Sequence, residues 1–303
     1  MQRQAMDPDW DDLRVFLAVA RGESLSAAGR VLKRDPATVG RRIARLEEAM
    51  GAALFQRAPS GYGLTVAGER LLAHAEAVEQ AVAQGVEALS GAADRLTGQV
   101  RIGAPDGCAN FLLPRVCAGI RARHPGLDMQ IVALPRVVNL SRREADFAIT
   151  VSPPAAGRLT VQKITDYHLH LVAHRDYLAT ARPIERLEDV AAHPVIGYIP
   201  DMIFDAELDY LAEIGAEGVA LASNAVSVQL GFLREAAGLG IAHDFSLPFV
   251  PGLQKVLAGT FSLTRSYYLV RHAADARNGR LHRVGDMIAQ GLRAEVARLE
   301  AMA

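Results

Sequence analysis

The first sixty residues place apolar side chains at helical spacing in three short segments. Residues Asp11 to Ala20 form the first segment, and Gly22 ends it. Ser24 begins a second helix as its N-cap. Asp35 and Pro36 begin a third, because Asp caps helices well and Pro is favoured at the first helical position. The pattern predicts three short helices packed on one another, with a tight turn before the third.

A small hairpin and one long helix follow in the pattern. Two short extended segments, ending at Arg57 and Thr65, flank a turn rich in Gly, Pro and Ser. The long helix is predicted from about Thr65 to Ser90, with apolar or small residues at alternating steps of four and three, as in a coiled coil. That seam consists of Leu71, Ala75, Val78, Val82, Gly85 and Leu89. Its spacing predicts a dimerisation helix.

From Gln99 onward, short apolar runs alternate with helical stretches, which predicts an α/β domain with a mostly parallel sheet. The predicted strands are 100–103, 128–134, 146–151, 169–173, 195–199, 241–242 and 267–270. The predicted helices are 111–123, 227–237 and 281–299.

Length and composition predict a globular chain of two or more domains. At 303 residues the chain is too long for one compact core, and its 50% hydrophobic and 22% charged residues are ordinary for a globular protein. The first residues lack the apolar stretch of a secretory signal, and no apolar run is long enough for a membrane span. Cys108 and Cys117 do not form a disulfide framework. We therefore expect a cytoplasmic chain with reduced thiols and no membrane partner.

The formal net charge is −1, yet cations concentrate in residues 30–57. Seven basic side chains stand there against Asp35, Glu47 and Glu48, which gives a local charge of +4. Duplex DNA favours such a cluster through counterion release, and Arg suits both phosphates and guanine edges. On charge alone, a solvated helix face with Arg–Glu pairs is an equal alternative. The basic residues are Arg30, Lys33, Arg34, Arg41, Arg42, Arg45 and Arg57.

The spacing of particular residues decides between a DNA-binding cluster and a solvated helix face. Residues Ser24 to Ile43 resemble the helix-turn-helix of LysR-type transcriptional regulators. The wing and linker-helix signature of that family is similar to Leu54-Phe55-x-Arg57-x-x-x-Gly61-x-x-Leu64-Thr65-x-Ala67-Gly68. The resemblance covers the whole chain, in length and in domain order.

The resemblance implies a multidomain fold. We expect an all-α winged helix-turn-helix at 7–66, a linker and dimerisation helix at 67–95, and an effector domain at 96–303. The effector domain is expected to be α/β and periplasmic-binding-protein-like, with two subdomains. Subdomain I is expected at about 98–163 and 268–303, and subdomain II at about 164–267.

The implied function is sequence-specific DNA binding, modulated by a small-molecule effector of unknown identity. In the family the third helix reads the major groove, the wing touches the minor groove and the long helix dimerises. We therefore expect double-stranded DNA as a partner and a homodimer through residues 67–90. The resemblance further implies a homotetramer, and RNA polymerase is a candidate partner. No cofactor and no catalysis are expected.

The expected DNA-binding residues include a helix start that departs from the family. Relatives usually carry Ser-Gln-Pro, or something near it, where this chain has Asp35, Pro36 and Ala37, and Gly40 replaces a common Ser. Pro36 cannot make the base contact of a Gln. The expected base readers are Thr38, Arg41 and Arg42, and the expected phosphate contacts are Arg34 and Arg45. The full expected set is Ser24, Arg34, Asp35, Pro36, Thr38, Gly40, Arg41, Arg42, Arg45 and Arg57.

In the wing, Arg57 has two open interpretations. It contacts phosphate or the minor groove, or it forms a salt bridge with Glu47 or Glu48. Gly61 and Gly63 are expected as turn glycines rather than as DNA contacts.

A second candidate site lies in the α/β domain, between a strand and a helix, where such sheets bind ligands. By resemblance, this loop lines a cleft between the subdomains. The expected effector-binding residues are Pro105, Asp106, Gly107, Cys108, Ser223, Asn224, Ala225 and His243. Each polar residue has a structural alternative: helix capping for Asp106, Ser223 or Asn224, and a buried structural role for His243. A carboxylate at Asp106 would repel an anionic effector, which argues against a generic organic acid.

Other chemistry has weaker support. His168 and His170 point the same way on a strand, as metal ligands would, but no third ligand lies close in sequence, so no metal site is predicted. Cys108 lacks the basic sequence neighbour of a redox switch. No nucleophile elbow, P-loop or HExxH motif supports an enzyme. A solute-binding transport protein would match residues 98–303 only, and the fused N-terminal domain argues against it.

Overall fold

The computed structural model describes residues 9–58, 61–89, 96–133, 145–154, 159–273 and 278–303. The chain forms two compact units, Met1–Ala93 and Asp94–Ala303. Within the described ranges, no helix is both long enough and apolar enough to cross a membrane.

The N-terminal unit contains the predicted helices and hairpin. Its elements are α1 (Trp10–Gly22), α2 (Leu25–Leu32), α3 (Pro36–Met50), β1 (Phe55–Ala58), β2 (Gly61–Leu64) and α4 (Val66–Leu89). Both predicted N-caps are confirmed: Ser24 Oγ accepts a hydrogen bond from Ala27 N at 3.0 Å, and Asp35 Oδ1 accepts one from Thr38 N at 2.8 Å. The core between these elements includes Phe16, Leu17, Val39, Leu46 and Leu54.

The spaced motif fixes how the hairpin leaves α3 and enters α4. Glu47 Oε1 accepts hydrogen bonds from the backbone N–H groups of Leu54, at 2.7 Å, and Phe55, at 3.1 Å. Thr65 Oγ1 accepts from Gly68 N at 3.1 Å, which caps α4. A Cβ on Gly68 would lie 2.1 Å from the backbone oxygen of Leu54, so glycine is required there. The side chain of Arg57 lies outside the described residues, and its two interpretations remain open.

The C-terminal unit is built from nine strands and five α-helices of the described chain, with short 3-10 helices between some of them. The strands are β3 (Thr97–Ala104), β4 (Gly126–Ala133), β5 (Phe147–Thr150), β6 (Leu159–His174), β7 (Val195–Gly197), β8 (Leu221–Ala222), β9 (Leu239–His243), β10 (Leu253–Lys255) and β11 (Leu263–His272). The helices are α5 (Asp106–Phe111), α6 (Leu113–Arg123), α7 (Arg175–Leu178), α8 (Val226–Arg234) and α9 (Gly279–Glu300). The helix predicted at 111–123 corresponds to α6, and α5 is a further short helix that the pattern did not predict.

The sheet has the order β4-β3-β5-β11-β6-β9-β7-β8, with β10 paired to β6. Strand β3 is parallel to β4 and β5, and β7 is parallel to β8 and β9. The other four pairings, in which β6 or β11 takes part, are antiparallel. The prediction of a mostly parallel sheet is wrong, because β6 and β11 run antiparallel through the middle of the sheet and join two parallel groups.

A register shift interrupts the pairing of these two long strands. Tyr267 pairs with Thr165, but Tyr268 pairs with Lys163, so Ile164 is left over as a bulge. Bulges bend a strand and increase its local twist. The shift lies at 163–165 and 267–268, where the boundaries between subdomains I and II are predicted. These boundaries remain a prediction.

Candidate nucleic-acid interface and ligand-binding segment

The first turn of α3 holds Arg41 in place through a short chain of hydrogen bonds. Asp35 accepts from Thr38 twice, from the backbone N at 2.8 Å and from Oγ1 at 2.5 Å. Arg41 Nη2 in turn donates to Thr38 Oγ1 at 3.0 Å. The bonds from Thr38 lower the pKa of Asp35, which therefore stays ionised. The bond to Thr38 orients the guanidinium of Arg41. Because Arg41 is exposed, this group remains accessible to a binding partner.

The other arginines of α3 face carboxylates at the start of α1. Arg45 donates to Asp12 through Nε at 2.6 Å and Nη2 at 2.7 Å. Arg42 Nη1 lies 3.1 Å from Asp12 and 3.2 Å from Asp11. These bonds join α1 and α3 at a carboxylate that is only 2% exposed. Arg42 and Arg45 thus have a structural role that the expected assignment to DNA did not include.

These acids change the electrostatics of the interface. Arg34 also lies 3.6 Å from Asp11, and Arg45 lies 3.4 Å from Asp9. With Asp9, Asp11 and Asp12 and the Arg14 that pairs with Asp11 included, eight cations stand against six carboxylates, so the local charge falls from +4 to +2. These acids precede the basic segment by 18 to 21 positions, so its composition does not include them.

A shallow groove at the α2–α3 turn retains a basic character. It is lined by Ser26, Gly29, Arg30, Lys33, Arg34 and Pro36. Gly29 is required for the tight turn, since a Cβ there would lie 2.6 Å from the backbone oxygen of Arg34. Of the other expected DNA residues, Pro36 is exposed, whereas Ser24 and Gly40 are half-buried.

The predicted seam of α4 divides into two parts. Ala75 is buried and Leu71 packs against the core of the N-terminal unit. Further along, Val78 is 40% exposed and Val82 is 46% exposed. Val78 and Val82 therefore form an apolar stripe on the surface of this unit.

In the C-terminal unit, Asp106 begins α5 but does not cap it. Its Oδ2 accepts from the backbone N of Ser227, in the first turn of α8, at 2.9 Å, and its Oδ1 accepts from Asn110 Nδ2 at 2.8 Å. Pro105 occupies the N-cap position of α5 and supplies no side-chain bond. The carboxylate therefore caps a different helix from the one that the sequence suggests.

The expected residues Ser223, Asn224 and Ala225 lie at the start of this same helix, α8. Ser223 Oγ accepts from Ala225 N at 3.1 Å, and Ala225 is the N-cap residue of α8. Ser223, Asn224 and Ala225 are half-buried. The structure thus brings the segments around Asp106 and Ala225 together through the contact with Ser227.

His243 and Cys108 lie in the core beside this segment. The His243 ring packs against Gly107 and lies 5.5 Å from the ring of Tyr167, between ring centroids. Burial lowers the pKa of His243 to about 4, so the ring is neutral at pH 7. Cys108 is fully buried, and burial raises the pKa of its thiol and raises that of Cys117 to about 11. Both thiols lack the thiolate character and the access that redox sensing requires.

A small cavity lies at the end of β7, next to α8. It holds about 20 Å³, and its lining combines the uncharged polar residues Tyr198, Tyr210 and Gln229 with Asp209 and aliphatic side chains. Burial raises the pKa of Tyr198, and the negative charge of Asp106 raises it further. No sequence motif indicates these three residues.

The histidines of β6 are paired with carboxylates. His168 Nδ1 lies 3.0 Å from Glu300 Oε2, and His170 Nδ1 lies 2.7 Å from Asp244 Oδ1. Lys255 Nζ donates to the other oxygen of Asp244 at 2.9 Å. Across the described residues, no group of three or more potential ligands is arranged for a metal ion.

Comparisons with known proteins match both units. The profile described as "LysR substrate binding domain" matches residues 93–293, and that described as "Bacterial regulatory helix-turn-helix protein, lysR family" matches residues 10–69. The chain is 32% identical to a probable hydrogen peroxide-inducible genes activator of Mycobacterium xenopi over 169 residues, which is 55% of this chain and 89% of that protein.

Two further likenesses differ in how much they cover. The HTH-type transcriptional regulator DmlR of Escherichia coli (strain K12) is 28% identical over 189 residues, and the chain spans only 62% of its length. A full-length OxyR variant from Pseudomonas aeruginosa superposes with a TM-score of 0.69 at 18% identity, covering 94% of this chain and 98% of that one. The latter likeness extends the shared fold over nearly the whole chain.

Proposed function

The chain belongs to the LysR family of bacterial transcriptional regulators, and we propose that it binds a two-part DNA site through its N-terminal unit and responds to a small molecule bound by its C-terminal unit. We place this activity in the cytoplasm and assign sensing, rather than catalysis, to the C-terminal unit. The observation that carries the proposal is the presentation of Arg41 on α3, beside the basic groove at the α2–α3 turn.

The contacts within the N-terminal unit support a revised division of the basic residues between base reading, phosphate binding and helix packing. Arg41 and Thr38 are assigned to base reading, since Asp35 and Thr38 hold the guanidinium at the exposed start of α3. Arg34 and Lys33 are assigned to phosphates, because they line the basic groove. Arg42 and Arg45 mainly hold α1 against α3 and contact DNA only in exchange for their carboxylates. Arg57 remains the proposed wing contact.

Competition binding tests this division. Genome-wide footprinting first supplies an operator, and each variant is then titrated with operator and with random DNA over a range of salt. Arg41→Ala should lose about 1–3 kcal/mol on the operator only. Lys33→Ala should weaken both DNAs and reduce the slope of log affinity against log salt by about 0.9.

The matched control is Arg182→Ala, which removes an exposed cation from the C-terminal unit. It should leave both affinities unchanged. Equal losses on the two DNAs for Arg41→Ala and Lys33→Ala would contradict the division. The absence of salt-dependent DNA retention by the full chain would overturn the proposed function.

We assign dimerisation to residues 67–90 of the linker helix, with assembly of dimers into a homotetramer. The exposed apolar stripe at Val78 and Val82 supports this assignment, because coiled coils bury such a seam. Val82→Glu should shift sedimentation towards the monomer, whereas Gln84→Glu, a charge added two positions away, should not. A dimer predicts half-sites about one helical turn, or a multiple, apart. RNA polymerase remains a proposed partner.

For the sensing unit, we propose the ligand site where α5 meets the start of α8. The proposed residues of this site are Pro105, Asp106, Gly107, Cys108, Ser223, Asn224, Ala225 and His243. The contacts of Asp106 with Ser227, and of His243 with Gly107, support this placement. A ligand would act only if its affinity differs between two arrangements of the protein. Because both cysteines are buried, we assign binding rather than thiol oxidation to the signal.

A further inference from the structure

The carboxylate of Asp106 occupies a position that would otherwise suit an anionic ligand. One oxygen accepts from the backbone N of Ser227 at 2.9 Å, in the first turn of α8, and the other accepts from Asn110 at 2.8 Å. Backbone N–H groups of a first helical turn have no partner within their own helix, and they attract anions. In this chain, one of these groups is already bound by a carboxylate of the protein itself.

The adjoining cavity contains a polar group that lacks a partner. The hydroxyl of Tyr210 is buried and makes no hydrogen bond with any residue that the structure describes. Tyr198 and Gln229 line the same cavity, and Gln229 lies in α8, two residues after the Ser227 amide that Asp106 binds. Because a buried polar group is costly to leave unpaired, the Tyr210 hydroxyl points to a polar ligand or a water in this cavity. The cavity itself has room for about one water, so a larger ligand requires the segments that line the cavity to move apart.

The charges around the cavity disfavour an anion. Arg265 lies 5.9 Å from the Tyr210 ring, but it is engaged by Glu207 at 2.8 Å and Glu213 at 3.4 Å. His243 is neutral at pH 7, because burial lowers its pKa to about 4. Asp106 is itself negative, and Asp209 is one of the residues that line the cavity. An anion entering here would lose its hydration without gaining a counter-charge.

Building on the sensing function proposed above, we infer that this site selects polar ligands that carry no negative charge, and that Asp106 excludes carboxylates from it. An acid would have to displace Asp106 from Ser227 and then face the displaced carboxylate. An amide or amidinium group can instead donate to Asp106, so no charge is left unpaired. Asp106 is thereby a specificity-determining residue that acts by repulsion.

Three probes of one shape and different charge test this inference: acetate, acetamide and acetamidinium. Each is titrated into the full chain at matched ionic strength, and binding is measured by ligand-observed NMR. Acetate should bind at least about tenfold more weakly than acetamide, the effect of one unfavourable charge at close range. Acetamidinium should bind at least as tightly as acetamide.

Asp106→Asn removes the charge while its amide oxygen can still accept from Ser227, so the start of α8 keeps a cap. In this variant the difference between acetate and acetamide should fall below about threefold. Asp128→Asn, a loss of the same charge from exposed strand β4 in the same unit, should leave the difference unchanged.

Equal affinity of the three probes for the unchanged protein would overturn the inference. So would the absence of binding by all three, or a preference that Asp106→Asn does not alter. DNA retention is measured on the same samples. A chain that shows the expected probe order but no retention on DNA would refute the proposed regulator and leave the inference about ligand charge standing.

Discussion

The ion pair between Asp12 and Arg45 provides the sharpest test of how α1 and α3 are joined. Asp12 is 2% exposed and receives two hydrogen bonds from Arg45, at 2.6 and 2.7 Å, and one from Arg42, at 3.1 Å. Asp12→Asn keeps the shape of the side chain but removes its charge. The variant should destabilise the N-terminal unit and at the same time release both arginines.

The expected loss lies between two limits. Exposed ion pairs contribute at most about 1 kcal/mol, whereas breaking a fully buried pair costs about 3–5 kcal/mol. Here the carboxylate is buried but both guanidinium groups reach solvent. We therefore expect a loss of about 2–3 kcal/mol, or roughly 10–20 °C in the unfolding midpoint of a unit of this size. Asp11→Asn is the control, since its side chain is 39% exposed and should cost under about 1 kcal/mol.

Trp10 makes the measurement specific to this unit. It is the only tryptophan of the chain and the first residue of α1, so its fluorescence follows the helix that Asp12 secures. The same sample is titrated with random DNA, for which Asp12→Asn should steepen the salt dependence by about 0.9 for each arginine that gains a phosphate. Equal unfolding midpoints for Asp12→Asn and Asp11→Asn would refute this account of the interface.

Three further predictions concern packing, pH and thiol reactivity. Gly68→Ala should unfold the N-terminal unit more easily by about 2 kcal/mol or more, because its Cβ has no space. Gly119→Ala in α6, where an added Cβ would meet open space, should leave this transition unchanged in the same fluorescence assay. His243 has a folded pKa of about 4, below its unfolded value near 6.5, so the unfolded chain takes up the proton first and stability is lost as the pH falls from about 6.5 to 4. The loss is up to about 3 kcal/mol, and His243→Phe should remove this part of a denaturation profile measured against pH. Cys108 and Cys117 should react with a thiol-specific disulfide reagent only after unfolding, and rapid reaction of the native protein would contradict their burial.

Local signals made the N-terminal unit predictable. The caps at Ser24 and Asp35 depend on bonds to residues three positions away, so the sequence contains both partners side by side. The pairing of Asp12 with Arg45 joins residues 33 positions apart and depends on how two helices cross. The periodicity of the sequence contains no information on how the helices cross. The sequence therefore indicates more unpaired arginines on α3 than the structure has.

The C-terminal unit was harder to predict for two physical reasons. The first half of β6 alternates less clearly than its buried second half, so only residues 169–173 were recognised and the antiparallel centre of the sheet was missed. Asp106 was assigned to its own helix because Asp is a common N-cap. Its actual partner, Ser227, is 121 positions away, and only the sheet topology brings the two together.

The two candidate sites share one physical device, which affects how each would discriminate between partners. At α3, Asp11 and Asp12 occupy arginines that a phosphate would otherwise attract, and at α8, Asp106 occupies an amide that an anionic ligand would otherwise attract. An external anion must therefore compete with a carboxylate that is already in place. This competition weakens the binding of every anion, and only an anion that gains additional contacts compensates for it. For DNA those contacts are base edges at Thr38 and Arg41, and the specificity ratio should fall when Asp11 or Asp12 is neutralised. The effect at α8 should be parallel, because removing the charge of Asp106 opens the site to acids that make no other specific contact.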